Sequence, residues 1–346
     1  YGDHRDLHKE YRRQRQMCIR DRYKLVLLHW QKFYKTHYEN LNLYIRGDWR
    51  TSSNKKTKPV TNPSTEEEIG TAAVASTKDI EKSIASAKYG LSIWRDTGTW
   101  ERASIIRKVS ELIRERKTVI ANLMSLETGK PLAESLGETI AAADQFEWYS
   151  EETKRIYGQI IEARASNSRM VVIFQPVGVV AAFSAWNFPA LLPARKIAAA
   201  LAAGCSIIIK PAGETPACCA ALIQACHDAG LPSGVVNMLT GNSAQIAKQL
   251  IASPIIRKVS VTGSVPIGKH ILGLAAQSVK KVSMELGGHG PVIIFDDYDA
   301  EIAAEACALT KFRNCGQVCI SPSRFYVHEK SYANFSNKFV QVARSL

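Results

Sequence analysis

Short apolar segments alternate with longer helical ones between residues 177 and 288, and this alternation constrains the fold more than any other feature of the chain. Apolar runs of about four to eight residues, bounded by glycine or proline, are typical of strands buried on both faces of a sheet. Helical patterns over 191–203 and 215–229 separate such runs, as expected of repeated β-α-β units. Right-handed crossovers between these units predict an α/β fold built on a doubly wound parallel sheet. The predicted strands are VGVVAAFS, CSIIIKP, VVNMLT, KVSVTGS and KKVSMEL.

The loops that follow these strands are the first candidates for a ligand site, because doubly wound sheets bind ligands at the carboxyl ends of their strands. Four of these loops bring glycine, proline and polar residues close together. The sequence therefore predicts a site where the four loops meet. They follow Phe183, Lys210, Thr262 and Leu286 and contain SAWNFP, KPAGETP, GSVPIG and ELGGHGP.

The G-x-x-x-x-G spacing of Gly263 and Gly268 lies where a predicted strand ends and a helix begins. Such a turn lets the backbone approach a pyrophosphate near a helix N-terminus, with the hydroxyl of Ser264 as a further donor. A glycine turn is also an ordinary way to end a strand, and for this motif alone that packing interpretation stays open. The motif lacks the three-glycine dinucleotide fingerprint and the G-K-S or G-K-T ending of a P-loop. Together with the other three loops, it favours dinucleotide binding.

The formal charge of +13 does not by itself predict a nucleic-acid interface. Residues 1–35 hold ten Lys and Arg against four Asp and Glu, so nearly half of the excess lies in one tail. The remaining positive charge is spread along the chain without a basic stripe interleaved with aromatic residues. We therefore expect a solvated surface and no nucleic-acid partner.

Residues 1–40 are set apart from the rest because they show no clear hydrophobic period and no starting methionine. Their segment QMCIRDR resembles translated sequencing-adapter sequence. We expect this basic tail to be either a disordered arm or an artefactual extension, and we leave it out of the fold prediction.

Apolar runs and cysteines indicate the cellular setting. No stretch approaches about eighteen uninterrupted apolar residues, and the first thirty residues are rich in arginine, so we expect neither a membrane partner nor a secretory leader. The eight cysteines form no C-x-x-C pair and lack histidines at zinc-ligand spacing. We therefore expect reduced thiols in a cytoplasmic protein and no metal site.

The part of the chain before the alternating region is also mixed α/β. The segment LNLYIRGDW predicts a short strand, and TNPSTEEEIGTAAV predicts a turn followed by an extended stretch. Apolar residues recur at helical spacing from Trp100 to Met124, and another helix is predicted from Leu132 to about Tyr157. Residues 157–175 predict a hairpin around the polar turn ASNSR. Such a hairpin would suit an oligomer contact, and an internal position is equally compatible with the sequence.

Five motifs occur in order along the chain and together resemble those of the aldehyde dehydrogenase superfamily: SAWNFP, KPAGETP, VTGSVPIG, MELGGHGP and FRNCGQVC. The resemblance covers about residues 43–346 and is strongest to the succinate-semialdehyde dehydrogenase branch in KFRNCGQVC and WNFPALLPARKIAAALAAGC. It implies a dinucleotide-binding domain over 41–156 and 176–288, with the hairpin of 157–175 between the two parts. Residues 289–346 would begin an α/β catalytic domain that stays incomplete, because the family's E-x-F-G-P motif does not occur there.

The same resemblance assigns the nucleophile to Cys319, which closes the G-Q-x-C motif. A thiolate adds readily to an aldehyde carbon, and the thiohemiacetal can pass a hydride to a nicotinamide, which leaves a thioester. Glu285 matches the family's general base for hydrolysis of that thioester, a role that partial burial would favour. Asn187 matches the amide that stabilises the oxyanion. Two interpretations of Cys315 are compatible with the sequence. It can be a small apolar residue that packs beneath the loop, or it can form a disulfide with Cys319 across one helical turn.

The resemblance implies NAD or NADP as the cofactor, with Lys210 on the adenosine ribose. Many NAD-preferring relatives carry a glutamate three residues later, where this sequence has Gly213. Absence of that carboxylate favours NADP, because a carboxylate would repel the 2'-phosphate, although Glu214 could swing into its place. The positions implied to contact the cofactor are Ala185, Trp186, Asn187, Lys210, Ala212, Gly213, Gly263, Ser264, Gly268 and Leu286.

Two arginines, Arg195 and Arg313, match the positions at which the succinate-semialdehyde branch binds the distal carboxylate of its substrate. Guanidinium groups present paired donors to a planar anion, so the resemblance favours succinate semialdehyde. Glutarate semialdehyde and 2-oxoglutarate semialdehyde fit the same charge. The alternative for Arg195 is an exposed helical arginine.

The sequence is compatible with three functions. The favoured one is oxidation of a small-molecule aldehyde to a carboxylic acid, by a homo-oligomer when full length, because Cys319, Glu285 and Asn187 are all present. A catalytically silent dinucleotide-binding or assembly fragment is the alternative, and we expect weak or absent activity from the isolated 346-residue chain. A coenzyme A-acylating relative is disfavoured, because those enzymes do not need the Glu285 base.

Overall fold

The computed structural model describes residues 40–346, so the expectation for the 1–40 tail lies, apart from Asn40, outside the described residues. The strands are β1 (Asn40–Leu41), β2 (Leu43–Ile45), β3 (Asp48–Arg50), β4 (Thr57–Thr61), β5 (Glu68–Ala73), β6 (Gln159–Ile161), β7 (Met170–Val172), β8 (Val179–Phe183), β9 (Ile207–Lys210), β10 (Val236–Met238), β11 (Ile256–Gly263), β12 (Lys281–Leu286), β13 (Gly290–Ile294) and β14 (Pro322–Val327). The helices are α1 (Thr77–Trp94), α2 (Thr99–Glu115), α3 (Lys117–Thr128), α4 (Leu132–Thr153), α5 (Leu191–Ala202), α6 (Pro216–Asp228), α7 (Ser243–Ala252), α8 (Val265–Ala276), α9 (Ala300–Phe312) and α10 (Glu329–Ser345).

The central sheet has seven strands in the order β12-β11-β8-β9-β10-β2-β3. Its first five strands run parallel, and β2 and β3 add an antiparallel edge beside β10. The chain proceeds outward from β8 to β10 and then returns to the other side of β8 with β11, which creates a reversal point in the strand order. The predicted doubly wound parallel sheet is confirmed.

Both faces of this sheet are covered by helices, as the apolar strands predicted. Along β9, Ile207 and Ile209 point into one apolar cluster and Ile208 into another, and all three side chains are fully buried. This alternation follows the two-residue period of a strand. Helices α2 to α6 pack on the Ile207 face, and α1, α7 and α8 pack on the Ile208 face.

The helical stretch predicted from Trp100 to Met124 is divided into α2 and α3 at Arg116, where the backbone (φ −96°, ψ 7°) leaves helical geometry. The Arg116 side chain is only 7% exposed, and its guanidinium lies 2.8 Å from the Asp228 carboxylate at the end of α6. The division therefore lets a buried arginine reach a partner distant in sequence, which apolar spacing alone cannot reveal.

Helix α4 ends at Thr153 instead of continuing to about Tyr157. The Lys154 amide bonds back to Glu151 O, the tighter pattern in which helices commonly terminate. Tyr157 lies beyond this turn and is 70% exposed, so continuing the helix would gain little burial there.

Strands β6 and β7 pair antiparallel as a separate two-stranded sheet. Apolar side chains on and beside it are exposed, including Ile160, Val171 and Phe174. Exposed strand edges with apolar side chains favour association with another chain. The oligomer contact at this hairpin, like the domain boundaries, stays a prediction.

A smaller α/β unit follows the sheet. Strands β13 and β14 pair in parallel and pack with α9 and α10 around a cluster that contains Ile294, Ala304 and Phe335. The connection from α9 to β14 is the Cys319 loop (residues 313–321), so this unit sets one boundary of the candidate site. A fourth sheet, β1-β5-β4, was not predicted as a separate sheet. Within residues 40–346, no helix has the length and apolar character needed to cross a bilayer.

Candidate functional site

The four loops singled out in the sequence converge on one cleft of about 880 Å³ at the carboxyl ends of the parallel strands. The cleft lies beside β8 and β11, where the strand order reverses, and this is the position at which doubly wound sheets bind ligands. The Cys319 loop forms part of the wall. The predicted site residues that line the cleft are Cys319, Glu285, Asn187, Ala185, Trp186, Lys210, Ala212, Gly213, Gly263, Ser264 and Leu286.

Three predicted site residues do not line this cleft: Gly268, Arg195 and Arg313. A Cβ at Gly268 would lie 2.7 Å from Leu286 Cδ2, so this glycine allows α8 to pack closely against β12 behind the cleft wall. Arg195 is exposed on α5. Arg313 lies nearer, with its Cζ 5.2 Å from the ring centre of Phe188, a residue of the cleft wall.

The Cys319 loop begins with an unusual backbone. Asn314, Cys315 and Gly316 have φ angles of 49°, 54° and 76°, so three consecutive residues are left-handed. A non-glycine residue in this region costs about 1–2 kcal/mol, so the surrounding structure must hold the turn in place. The interpretation of a disulfide between Cys315 and Cys319 assumed that one right-handed helical turn separates them. The left-handed residues 314–316 show that the loop does not begin with such a turn. The side chains of both cysteines are exposed.

Asn314 is the anchor of this left-handed turn and is only 4% exposed. Its backbone N–H donates to Glu134 Oε2 at 2.8 Å, and its Nδ2 donates to Asn187 O at 3.0 Å. The Gln317 N–H donates in turn to Asn314 O at 3.0 Å. These bonds offset the cost of the backbone conformation and tie the Cys319 loop to the Asn187 loop (residues 184–190).

The side-chain amide of Asn187 faces the Cys319 loop. Its Nδ2 donates to Gln317 O at 3.0 Å, two residues before the cysteine. An asparagine amide has two N–H donors, and one is used in this contact. The second can therefore serve a ligand atom beside Cys319.

Glu285 lies near the end of β12, opposite Thr262 of β11, and lines the cleft. Its side chain is exposed, so the partial burial that we expected to assist a base at this position is not observed. Exposure leaves its carboxylate open to water, which is the molecule that a base for thioester hydrolysis must activate.

One residue near Glu285 was missed by the sequence analysis: Lys196 of α5. Its side chain is buried, and its Nζ donates to Ser260 Oγ at 2.9 Å. Burial, opposed by the nearby Glu285 carboxylate and assisted by Lys258, lowers the pKa of Lys196 to about 8. The available signal was a lysine that follows Arg195 in a helix whose other residues, in PARKIAAALA, are apolar.

In the two helices that follow β8 and β9, backbone amides at the helix start donate to buried carboxylates. Glu138 Oε1 accepts the amides of Ala190 and Leu191 at the start of α5, at 2.9 and 3.1 Å. Glu127 Oε1 likewise accepts the Ala217 amide at the start of α6, at 2.8 Å. These carboxylates occupy the sites where a helix would otherwise bind an anion.

Helix α8 begins differently. Its N-cap, Ser264, makes no side-chain capping hydrogen bond within the described residues, and it lines the cleft. The positive end of a helix dipole suits a phosphate group. Helices α5, α6 and α8 follow β8, β9 and β11. Of these three, α8 is the one whose start is suited to a pyrophosphate, because no buried carboxylate among the described residues is seen to cap it.

The cleft is also lined by Lys210 and Gly213. Burial lowers the pKa of Lys210, the nearby Glu214 carboxylate opposes this effect, and Lys58 adds to it. Apart from Gly213 and its two chain neighbours, no heavy atom of the described chain lies within 4 Å of a Cβ built on Gly213, so there is open space at this position. A cation beside open space can accommodate a ribose with or without a further phosphate.

Two buried hydroxyls test whether a dinucleotide suits this cleft. Within the described part of the chain, Ser184 Oγ and Thr262 Oγ1 have no hydrogen-bond partner, and both residues line the cleft. Buried polar atoms normally have partners, so these hydroxyls are suited to a polar ligand. The hydroxyls, the start of α8 and Lys210 together fit a dinucleotide cofactor.

A sequence model described as "Aldehyde dehydrogenase family" matches residues 49–346. Glutarate-semialdehyde dehydrogenase of Pseudomonas putida is 42% identical over 303 residues, which is 88% of this chain and 63% of that protein. Succinate-semialdehyde dehydrogenase (NADP(+)) GabD of Escherichia coli (strain K12) is 41% identical, over 87% of this chain and 63% of that protein. The solved structure described as an E. coli NADP dependent enzyme has a TM-score of 0.88 at 40% identity, over 90% and 65% of the two chains. The chain thus spans about 63% of the length of the curated relatives it matches.

Proposed function

The chain belongs to the aldehyde dehydrogenase family, and from this premise we propose that its cleft oxidises an aldehyde to a carboxylic acid through a covalent intermediate on Cys319. The observation that carries the proposal is the 3.0 Å bond from Asn187 Nδ2 to Gln317 O, which directs the amide towards the segment that carries the cysteine. Glu285 lines the same cleft, so a nucleophile, an oxyanion donor and a base share one space.

Each of the three residues has one chemical task. The Cys319 thiolate bonds to the aldehyde carbon, and the carbonyl electron pair moves onto oxygen, where the second Asn187 N–H stabilises the charge. A dinucleotide held by Lys210 and the start of α8 would supply the hydride acceptor that oxidation of this carbon to a thioester requires. Glu285 takes a proton from water, and the resulting hydroxide adds to the thioester and expels the Cys319 thiolate.

The test is product analysis on two proteins, the 346-residue chain and the full gene product that contains it. Each is mixed with succinate semialdehyde and NADP, and succinate and reduced cofactor are quantified by mass spectrometry and absorbance. We expect the two products in equal amounts from the full gene product. If neither protein forms succinate and both bind the cofactor, a silent dinucleotide-binding protein is the correct interpretation.

The cofactor proposal is NAD or NADP, with a preference for NADP. It rests on Lys210 and the open space at Gly213, and the names of two similar proteins mention NADP. In this proposal Lys210 holds the adenosine ribose, the start of α8 holds the pyrophosphate, and no carboxylate at position 213 opposes a 2'-phosphate.

Gly213→Glu should weaken NADPH binding by about tenfold or more, because a carboxylate would lie near the 2'-phosphate. NADH binding should change by less than about threefold, since NADH lacks the 2'-phosphate and a Cβ at this position meets no heavy atom within 4 Å beyond the adjacent residues of the chain. Fluorescence titration of both reduced cofactors measures this without turnover. Gly213→Gln is the uncharged control, and a parent chain that binds NADH far more tightly than NADPH would contradict the preference.

The substrate proposal is an aldehyde with a distal carboxylate, of which succinate semialdehyde and glutarate semialdehyde are examples. The names of similar proteins mention both compounds. Arg313 lies beside Phe188 of the cleft wall and is exposed, so its guanidinium can reach a substrate carboxylate. Arg195 is exposed on α5 and is the second proposed contact.

Arg313→Met in the full gene product should raise KM for succinate semialdehyde about 10- to 100-fold, the range expected for a lost charged hydrogen bond. The uncharged aldehyde butanal should be oxidised as before, because it offers nothing to the guanidinium. Steady-state kinetics with both aldehydes measure the difference. Arg155→Met, at a surface ion pair with Glu152, is the control, and an equal loss for both aldehydes argues against the carboxylate contact.

Assembly into a homo-oligomer is part of the proposal. The β6-β7 hairpin supports it, because exposed Ile160, Val171 and Phe174 would be covered by a second copy.

A further inference from the structure

A buried ion pair joins Lys130 and Glu138 beside the Asn187 loop. Lys130 follows α3, and Glu138 lies on α4; their side chains are only 1% and 2% exposed. Neither residue lines the cleft. Burying two charges is unfavourable unless each makes further hydrogen bonds, so the other contacts of the pair indicate what it does.

Those contacts hold the second half of the Asn187 loop, the segment 187–190, at both of its ends. The Lys130 Nζ donates to Asn187 O at 2.9 Å, at one end of the segment 187–190. Glu138 Oε1 accepts the Ala190 and Leu191 amides at the other end, at 2.9 and 3.1 Å. A carboxylate alone would be enough to cap α5, so the cap does not explain the lysine.

The lysine is committed to the residues around Asn187. One of its donors meets Glu138 and another meets Asn187 O, and its Nζ lies 4.2 Å from the ring centre of Phe188. A buried cation over an aromatic face adds to the attraction. Lys130 thus holds the carbonyl of the Asn187 to Phe188 peptide bond and contacts the side chain of Phe188.

The orientation of this peptide also sets the direction of the Asn187 side chain. Asn187 O accepts a second hydrogen bond from Asn314 Nδ2 at 3.0 Å, while Asn187 Nδ2 donates to Gln317 O at 3.0 Å. Lys130 and Asn314 therefore hold the carbonyl from two directions, and the amide is left to face the Cys319 loop.

We propose that Lys130, itself oriented by Glu138, is a positioning residue for the Asn187 amide, so that the pair controls how fast the Cys319 thiolate adds to an aldehyde. The inference rests on the proposed function, because it needs Asn187 to stabilise an oxyanion. It predicts an effect on a chemical step from two side chains that do not line the cleft.

A double-mutant cycle in the full gene product tests this inference. The variants are Lys130→Met, Asn187→Ala and the double variant, and the observable is the single-turnover rate of acylation of Cys319. Asn187→Ala should slow acylation on the order of a hundredfold, and Lys130→Met by about tenfold or more, because small misplacements of a positioned group are costly. The double variant should be no slower than Asn187→Ala, since the lysine acts through the amide.

Alkylation of Cys319 by iodoacetamide separates positioning from general disorder of the loop. This displacement forms no oxyanion, so its rate should stay unchanged in Lys130→Met. Lys154→Met is the matched control, because that lysine pairs with Glu151 on the surface of the same helical region, 2.7 Å away; its acylation rate should equal that of the parent. Thermal melting shows which variants are folded.

Two outcomes would overturn the positioning role and leave the proposed function intact. One is a double variant whose fold loss in acylation rate equals the product of the two single losses. The other is an alkylation rate that falls in parallel with the acylation rate. A parental acylation rate in Asn187→Ala would instead remove the oxyanion assignment, and the inference with it. If Lys130→Met does not fold, Glu138→Gln replaces it in the cycle, because its amide oxygen can still accept the Ala190 and Leu191 N–H groups while the charge opposite Lys130 is lost. The same criteria then apply.

Discussion

Cys319→Ser in the full gene product is expected to reduce conversion of succinate semialdehyde to succinate on the order of 10⁴-fold or more. A serine hydroxyl is almost fully protonated at neutral pH, whereas a cysteine thiol ionises more readily and is intrinsically far more nucleophilic. The alcohol is therefore a much weaker nucleophile than the thiol it replaces. Acid production, quantified by mass spectrometry, measures the loss.

Cys315→Ser is the matched control, because this thiol is also exposed in the same loop and has no part in the proposed chemistry. It should keep activity within about twofold, the range expected of a surface substitution. Cofactor binding by Cys319→Ser should equal that of the parent. Acid formation by Cys319→Ser at the parental rate would show that the covalent mechanism is wrong.

Glu285→Gln should slow steady-state turnover by about 10²- to 10⁴-fold, the usual contribution of a general base. The loss should fall on thioester hydrolysis, because an amide cannot take the proton from water. Acylation should proceed, so mixing enzyme with aldehyde and cofactor should give a burst of one reduced cofactor per site. Stopped-flow absorbance and intact-protein mass spectrometry detect the burst and the acylated cysteine.

Glu305→Gln, at an exposed acid of α9, is the control for a change of charge and should give no burst beyond that of the parent. A Glu285→Gln variant that turns over normally would assign the base elsewhere. A variant that fails to acylate would place Glu285 in an earlier step than the one proposed.

The sheet and the cleft were largely predictable from the sequence because their signals are local. Ile207, Ile208 and Ile209 form a continuous apolar run, which is characteristic of a strand covered on both faces. Glycine and proline mark where the strands end, and parallel strands bring those ends to one edge. The convergence of Asn187 and Glu285 on one cleft follows from this topology.

Features that depend on distant partners were not predictable in the same way. Lys130 and Asn187 lie 57 residues apart, and nothing in the sequence around either one indicates their hydrogen bond. The division of the predicted helix at Arg116 likewise depends on Asp228. The left-handed turn at Cys315 was missed because a cysteine carries no preference for that conformation, which buried hydrogen bonds nearby impose.

The pair of helices α3 and α4 touches three segments of the site. Glu127 accepts two amides at the start of α6, Glu138 accepts two at the start of α5, and Glu134 accepts the Asn314 amide of the Cys319 loop. A laboratory exchange of active-site loops between relatives would therefore separate the grafted backbone from the carboxylates that hold it. Chimaeras that transfer residues 117–153 together with the loops should retain the geometry of the donor protein, and this helical pair is the natural unit for such recombination.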